Sequence, residues 1–528
     1  MTTARSIFSL IVLIALSSAA SPSFARSAPP SDLDSYVAHS MRTFGVPGIS
    51  IAIVKDGKVV LQKGYGVRKV GDPAPVDANT LFAIGSTTKA FTVAALATLV
   101  DAGKLSWDDP VYERLKGFEM YDPYVSKEMR IRDLLCHRGG LGVGEGDLML
   151  WPHNSYTRDD IVYRLRYLKP VSSFRSRFAY NNLMFVAAGQ VVAEASGRSW
   201  DDYVREQIFL PLGMKDTNTK TDAHPERGNY AFPHQKAGDK VEVAPFINLD
   251  STGSAGAINS SAADMAKWLL VQLGHGKIPG TDRRLFSEAA STEMWTQQSI
   301  FPASESGLDG LKSLQPNFYG YGMGWFLRDY KGRRLVGHPG GVGGFVARVM
   351  LVPEENLGVV ILTNAGEVYA YESILYHILD AYLGGRTEDY VASFKALEEK
   401  QHKDADDTMQ KASQTRAADS KPSLPLEKYA GDYSDPWYGD VHIRAEGGGL
   451  TMRLPLTVDK ITADLQHWQY DTFKAHWRGP MEDAFVTFAL KPDGSIDHFT
   501  MAAVSPLADF SSDYQDLYFT PAAAAGTK

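Results

Sequence analysis

The sequence predicts an α+β architecture: one antiparallel sheet drawn from both ends of a large first domain, a helical block beside it, and a small all-β, barrel-like domain after it. Three observations carry this expectation. Ile- and Val-rich segments flank a turn near the start, and the same grammar returns between residues 324 and 363. The interval between holds strongly apolar helical segments. Beyond residue 423, short alternating segments separated by Gly and Asp turns take over.

The elements follow in order. Arg5 precedes the apolar run Ile7 to Leu16, and small residues end at Ser23-Phe24-Ala25. A positive start, an apolar core too short to span a bilayer and a small-x-small site predict a signal peptide over residues 1–25, cut after Ala25. The alternative is an uncleaved anchor. Gly48 to Val54 and Val59 to Gly64 flank Lys55-Asp56-Gly57-Lys58, a hairpin signal whose turn tolerates positive φ at Gly57. Ser86 to Ala102 is apolar on nearly every face and stops at Gly103, so it predicts an interior helix. A second helix runs from about Leu183 to Ser196. Gly324 to Asp329, Arg333 to Gly337, Phe345 to Val352 and Leu357 to Thr363 read as strands, with the glycines at 340, 341, 343 and 344 marking a turn. Residues 385–422 form a charged helix and linker, and 423–521 the β domain.

The 528 residues, 44% hydrophobic and 22% charged with a net charge of −8, suit a multi-domain globular protein and hold no basic stripe for nucleic acid. No stretch after the signal segment is long and apolar enough to span a bilayer. Cys136 is the single cysteine, so no intrachain disulfide forms, and its Leu134-Leu135-Cys136 setting predicts a buried apolar role.

A serine hydroxyl is a poor nucleophile until a base lies within hydrogen-bond reach. Ser86-Thr87-Thr88-Lys89 is the one Ser-x-x-Lys in the chain, and it opens the most apolar helix. Spacing i, i+3 puts both side chains on one face. A lysine among apolar neighbours has its charged form disfavoured, as a general base requires. The plain alternative is a serine N-cap with a lysine that reaches solvent. Tyr180-Asn181-Asn182 is the one Tyr-x-Asn: a phenol able to relay a proton, and an amide able to bind a carbonyl. Its alternative is Asn182 as a helix N-cap with Tyr180 in the core. His338-Pro339-Gly340-Gly341 places glycines where substrate backbone approaches closely and N–H groups stay free for an oxyanion hole. The other His-x-Gly, His137-Arg138-Gly139, sits in a loop-like run and reads as structural.

In this order the three motifs resemble those of the β-lactamase-related, penicillin-recognising serine hydrolases, with Tyr-x-Asn similar to class C β-lactamases, D-Ala-D-Ala carboxypeptidases, D-aminopeptidases and esterase relatives. The resemblance covers about residues 30–384 and implies a β-lactamase/transpeptidase-like fold. It implies Ser86 as nucleophile, Lys89 and Tyr180 sharing proton transfer, and an oxyanion hole from the N–H groups of Ser86 and Gly341. It makes Asn182, His338 and Gly340 substrate-binding, and requires neither metal nor cofactor. One departure matters. His338 and Pro339 stand where β-lactamases offer a Lys ammonium and a Thr hydroxyl to a carboxylate. The expected activity is therefore an exported, periplasmic or secreted peptidase, carboxypeptidase or esterase acting on small amides or esters. A true class C β-lactamase and a weakly catalytic binding protein are the alternatives. The expected partner is a small molecule or short peptide. The β domain resembles a lipocalin-like barrel appended to some family peptidases, with three readings: restricting access to the site, self-association, or a plain spacer.

Overall fold

The computed structural model describes residues 28–152, 155–220, 228–238, 240–302, 311–385, 388–458, 460–479 and 481–522. The expected signal segment, with its cut after Ala25, lies outside them.

The first domain is built on an eight-stranded antiparallel sheet. Its order runs Lys58–Gly66, Gly48–Lys55, Leu357–Thr363, Phe345–Val352, Arg333–Val342, Phe326–Tyr330, Tyr319–Tyr321, Ser299–Phe301. Gly48–Lys55 comes early in the chain yet lies between its hairpin partner and Leu357–Thr363, in the register Ile49↔Thr363 to Lys55↔Leu357. Every residue of both strands is buried, because both faces of the sheet are covered. Alternation of side chains sorts them. Ile49, Ile51, Ile53, Val359 and Ile361 pack with helices Leu33–Phe44, Val368–Leu383 and Tyr390–Gln414. Ala52, Val54, Val360 and Leu362 join the opposite core, with helices Thr88–Asp101 and Ala262–Leu273. Each fully buried Val or Ile contributes about 1.5–3 kcal/mol.

The strand Arg333–Val342 is longer than expected. Gly340 and Gly341 lie within its ladder to Phe345–Val352, and only Gly343 and Gly344 turn the chain. Gly340 is needed because the chain before Ser86 crosses here. A Cβ on Gly340 would lie 2.0 Å from the Ile84 carbonyl oxygen.

After the helix Tyr390–Gln414, eight antiparallel strands between Gly431 and Pro521 close into a barrel, sealed by Tyr433↔Pro521 and Ser434↔Thr520. Alternate residues point inward. Val441, Ile443, Met452, Phe473, Val486 and Phe499 are buried and fill the interior with side chains. The barrel packs on the helical block, where Arg164 donates to the Trp437 carbonyl at 2.9 Å and Ser155 N–H to that of Leu456 at 2.9 Å. Among the described residues no helix is long and apolar enough to cross a membrane.

Candidate active site

Ser86 sits in a single 3-10 turn, Gly85–Thr87, that feeds the helix Thr88–Asp101. Gly85 has φ +50°, and a Cβ there would lie 2.6 Å from the Gly341 nitrogen. Glycine on both sides thus lets the serine turn touch strand Arg333–Val342. The Gly341 nitrogen lies against Gly85 and the Ser86 nitrogen against Gly340, so helix start and strand meet at the serine.

Lys89 follows one turn later and is fully buried. Its Nζ lies 3.0 Å from Ser86 Oγ and donates to Asn182 Oδ1 at 2.7 Å and to the Ala255 carbonyl at 2.9 Å. The rings of Tyr180 and Phe185 lie 4.8 and 5.3 Å from it. Burial lowers the lysine to about 7, against the opposing pull of the Asp147 carboxylate.

Tyr180 and Asn182 arrive on the segment before helix Leu183–Ser196. Asn182 occupies the N-cap position but makes no side-chain cap bond. Its amide is used elsewhere: Oδ1 accepts from Lys89, and Nδ2 donates to Asp147 Oδ2 at 2.8 Å. A carboxylate only accepts, so Asp147 fixes which way the amide faces. The Tyr180 hydroxyl is hydrogen-bonded to Ser86; burial raises its pKa and that bond opposes the rise, so the phenol keeps its proton near neutrality.

His338 lies behind this group and is 1% exposed. Nδ1 is 2.6 Å from the Pro339 carbonyl, which can only accept, so Nδ1 carries the proton and Nε2 accepts from the Tyr321 hydroxyl at 2.9 Å. Burial, then the Lys89 charge, drives this imidazole down to about 3. It is neutral at physiological pH and offers no cation to a substrate carboxylate.

The structure therefore gathers Ser86, Lys89, Tyr180, Asn182, Gly340 and Gly341 around one point, with His338 supporting them from inside. One group lacked a sequence signal. Asp147 shares a glycine-rich loop with a second acid, Glu145. His137, read from sequence as structural, is fully buried with its ring 4.2 Å from that of Tyr180, and its Nδ1 accepts from Asn181 N–H at 3.1 Å. Cys136 is buried and its thiol is pushed up to about 12, which leaves it unreactive.

The glycines give a paired test. Gly340→Ala drives a methyl against the Ile84 carbonyl and is expected to shift the strand enough to cost about 100-fold in Ser86 reactivity. Gly341→Ala meets no atom within 4 Å and keeps the N–H, so it should react at close to the wild-type rate. Labelling rates with a serine-directed phosphonate, beside circular dichroism, separate the two.

The family model described as Beta-lactamase matches residues 33–382, and one described as Domain of unknown function (DUF3471) matches residues 415–521. The unguisins hydrolase ungD' of Aspergillus campestris is 28% identical over 432 residues, covering 78% of this chain and 77% of that protein. The octameric penicillin-binding protein homologue from Pyrococcus abyssi superposes with a TM-score of 0.60 at 24% identity, over 89% of this chain and 98% of its own. The D-amino acid amidase from Ochrobactrum anthropi SV3, solved with L-phenylalanine amide, gives a TM-score of 0.55 at 25% identity, over 66% and 98%. The chain belongs to the beta-lactamase family and is one of its serine hydrolases.

Proposed function

We propose that this chain is an exported hydrolase that cleaves small amides or esters through an acyl-enzyme on Ser86, with amino-acid-like acyl groups as its substrates. One observation carries the reading. A neutral amine has two N–H donors and one lone pair. The carbonyl oxygens of Asn182 and Ala255 take up both donors of Lys89, at 2.7 and 2.9 Å, so the lone pair is left for Ser86 Oγ at 3.0 Å.

Lys89 removes the hydroxyl proton as Oγ bonds to the substrate carbonyl carbon, and the displaced electron pair goes to the oxygen held by the N–H groups of Ser86 and Gly341. Tyr180, a phenol rather than a phenolate, passes a proton to the leaving nitrogen or oxygen as that bond breaks. It is made good by the proton on Lys89. Water then attacks the acyl-serine, its proton returns through the same two groups, and the acid leaves.

The neutral, enclosed His338 supports amide or ester substrates without a recognised carboxylate, over a true β-lactamase. The D-amino acid amidase and unguisins hydrolase likenesses support the same class. Export rests on Arg5 and the run Ile7 to Leu16, and N-terminal sequencing of secreted protein should begin at Arg26. Self-association through the barrel belongs to the proposal, and light scattering checks it.

The deciding experiment treats wild type and Ser86→Ala with a fluorescent penicillin and a fluorophosphonate, then with a panel of D- and L-aminoacyl amides, short esters and β-lactams. Phosphonate labelling that vanishes in Ser86→Ala, with turnover of amides or esters, is expected. Efficient β-lactam turnover would shift the reading to a β-lactamase. Labelling without turnover of any substrate would leave a binding protein.

A further inference from the structure

The barrel does more than sit beside the first domain. Between its strands Ile496–Ala503 and Tyr518–Pro521 the chain leaves the barrel and crosses to the active site. There the Phe510 ring meets that of Tyr180 edge-on, with centroids 5.7 Å apart and planes at 81°. Phe510 is otherwise 45% exposed, an unusual state for an aromatic placed against a catalytic group. The next residue, Ser511, donates to Asp147 Oδ2 at 2.8 Å. Asp513 accepts from Gly146 N–H at 2.5 Å. The receiving loop is shaped for this contact: Gly144 has φ +71°, and a Cβ there would lie 2.4 Å from the Phe510 carbonyl oxygen. Gly144 N–H in turn donates to the Tyr180 carbonyl at 2.8 Å.

Ser511, Asp147, Asn182 and Lys89 thus form one continuous chain of three hydrogen bonds, from the second domain to the amine beside Ser86. We propose that the barrel completes the active site: Phe510 is a specificity-determining wall beside Tyr180, and Ser511 is a positioning residue that acts on Lys89 through Asp147 and Asn182. This rests on the serine-hydrolase reading and deepens it. The wall admits compact substrates with an apolar group on the Tyr180 side and excludes bulk there.

The titratable groups around Asp147 come from several elements: Lys89 on the serine helix, Tyr180 on the segment before helix Leu183–Ser196, Glu145 on its own loop, and Asp509 and Asp513 on the barrel loop. Loss of the Ser511 hydroxyl removes a donor that favours the Asp147 carboxylate. Its protonated form then gains, less negative charge faces Lys89, and the lysine releases its proton at lower pH.

The test uses the full chain and two fluorophosphonates, one with small alkyl groups and one with a bulky aryl group. Phe510→Ala should raise the ratio of bulky to small labelling rates by about tenfold. Ser511→Ala should lower the small-probe rate by about tenfold and move the acid limb of its pH profile downward, and Ser511→Thr should restore both. Both positions lie on an exposed loop, and unchanged melting confirms that the fold is intact. An unchanged probe ratio in Phe510→Ala together with an unchanged pH profile in Ser511→Ala, in a wild type that labels, overturns this inference alone. A wild type that no probe labels overturns it together with the serine reading.

Discussion

Replacing Lys89 with methionine is expected to slow acylation of Ser86 by about 10³-fold, within the range of a lost general base. The wild-type rate should rise with pH and level off above about 7, because the protonated amine has no lone pair and burial has brought its pKa down to there. The variant should lose that limb altogether. Stability gives an independent reading. The folded lysine releases its proton near 7 and the unfolded one near 10.5, so the unfolded state binds more protons in that window. The wild type therefore gains stability as pH climbs from 7 toward 10. Lys89→Met should lack this gain, as seen in urea midpoints of the two proteins across the window. A variant that still labels at more than a tenth of the wild-type rate would remove Lys89 as the base.

Tyr180→Phe is expected to cost about 100-fold or more on amides. The ring keeps its contacts with His137 and Phe510, so packing survives and only the hydroxyl beside Ser86 is lost. Because the phenol serves to protonate a leaving group, the loss should depend on that group. Amines, which cannot leave as anions, should suffer most; nitrophenyl esters, which depart readily, should suffer least. A uniform loss across a series of leaving groups would point to binding or orientation instead.

The parts of this molecule legible in the sequence share one property: they are local. The hairpin at Asp56-Gly57, the helix Leu183–Ser196 and the alternating barrel strands each announce themselves within a dozen residues. So does the pairing of Ser86 with Lys89, since one helical turn fixes it. Tyr180 and Asn182 were legible as a pattern, but their approach to Lys89 is tertiary. Gly340 and Gly341 read as turn residues because glycine ordinarily interrupts a strand. The Ile84 carbonyl that requires glycine at 340 lies some 250 residues away in sequence. Asp147 and Ser511 stand 364 residues apart, and no spacing rule links a glycine-rich loop to the far end of a barrel. His137 reads from sequence as structural, and the structure packs it in the core. A buried neutral histidine shows itself only by what packs around it, here Tyr180, Phe178 and Tyr321.

The sheet also sets an order of events during synthesis. Gly48–Lys55 emerges early, but it pairs on one side with Leu357–Thr363, more than three hundred residues later. Until that segment has left the ribosome, Ile49, Ile51 and Ile53 have only the Lys58–Gly66 hairpin to pair with, and a two-stranded hairpin is marginal in water. Pairing across such a distance is slow and leaves apolar edges open to other chains. A ribosome-bound chain halted before residue 357 should therefore engage chaperones and yield to protease, and one released after the covering helices Val368–Leu383 and Tyr390–Gln414 should resist both.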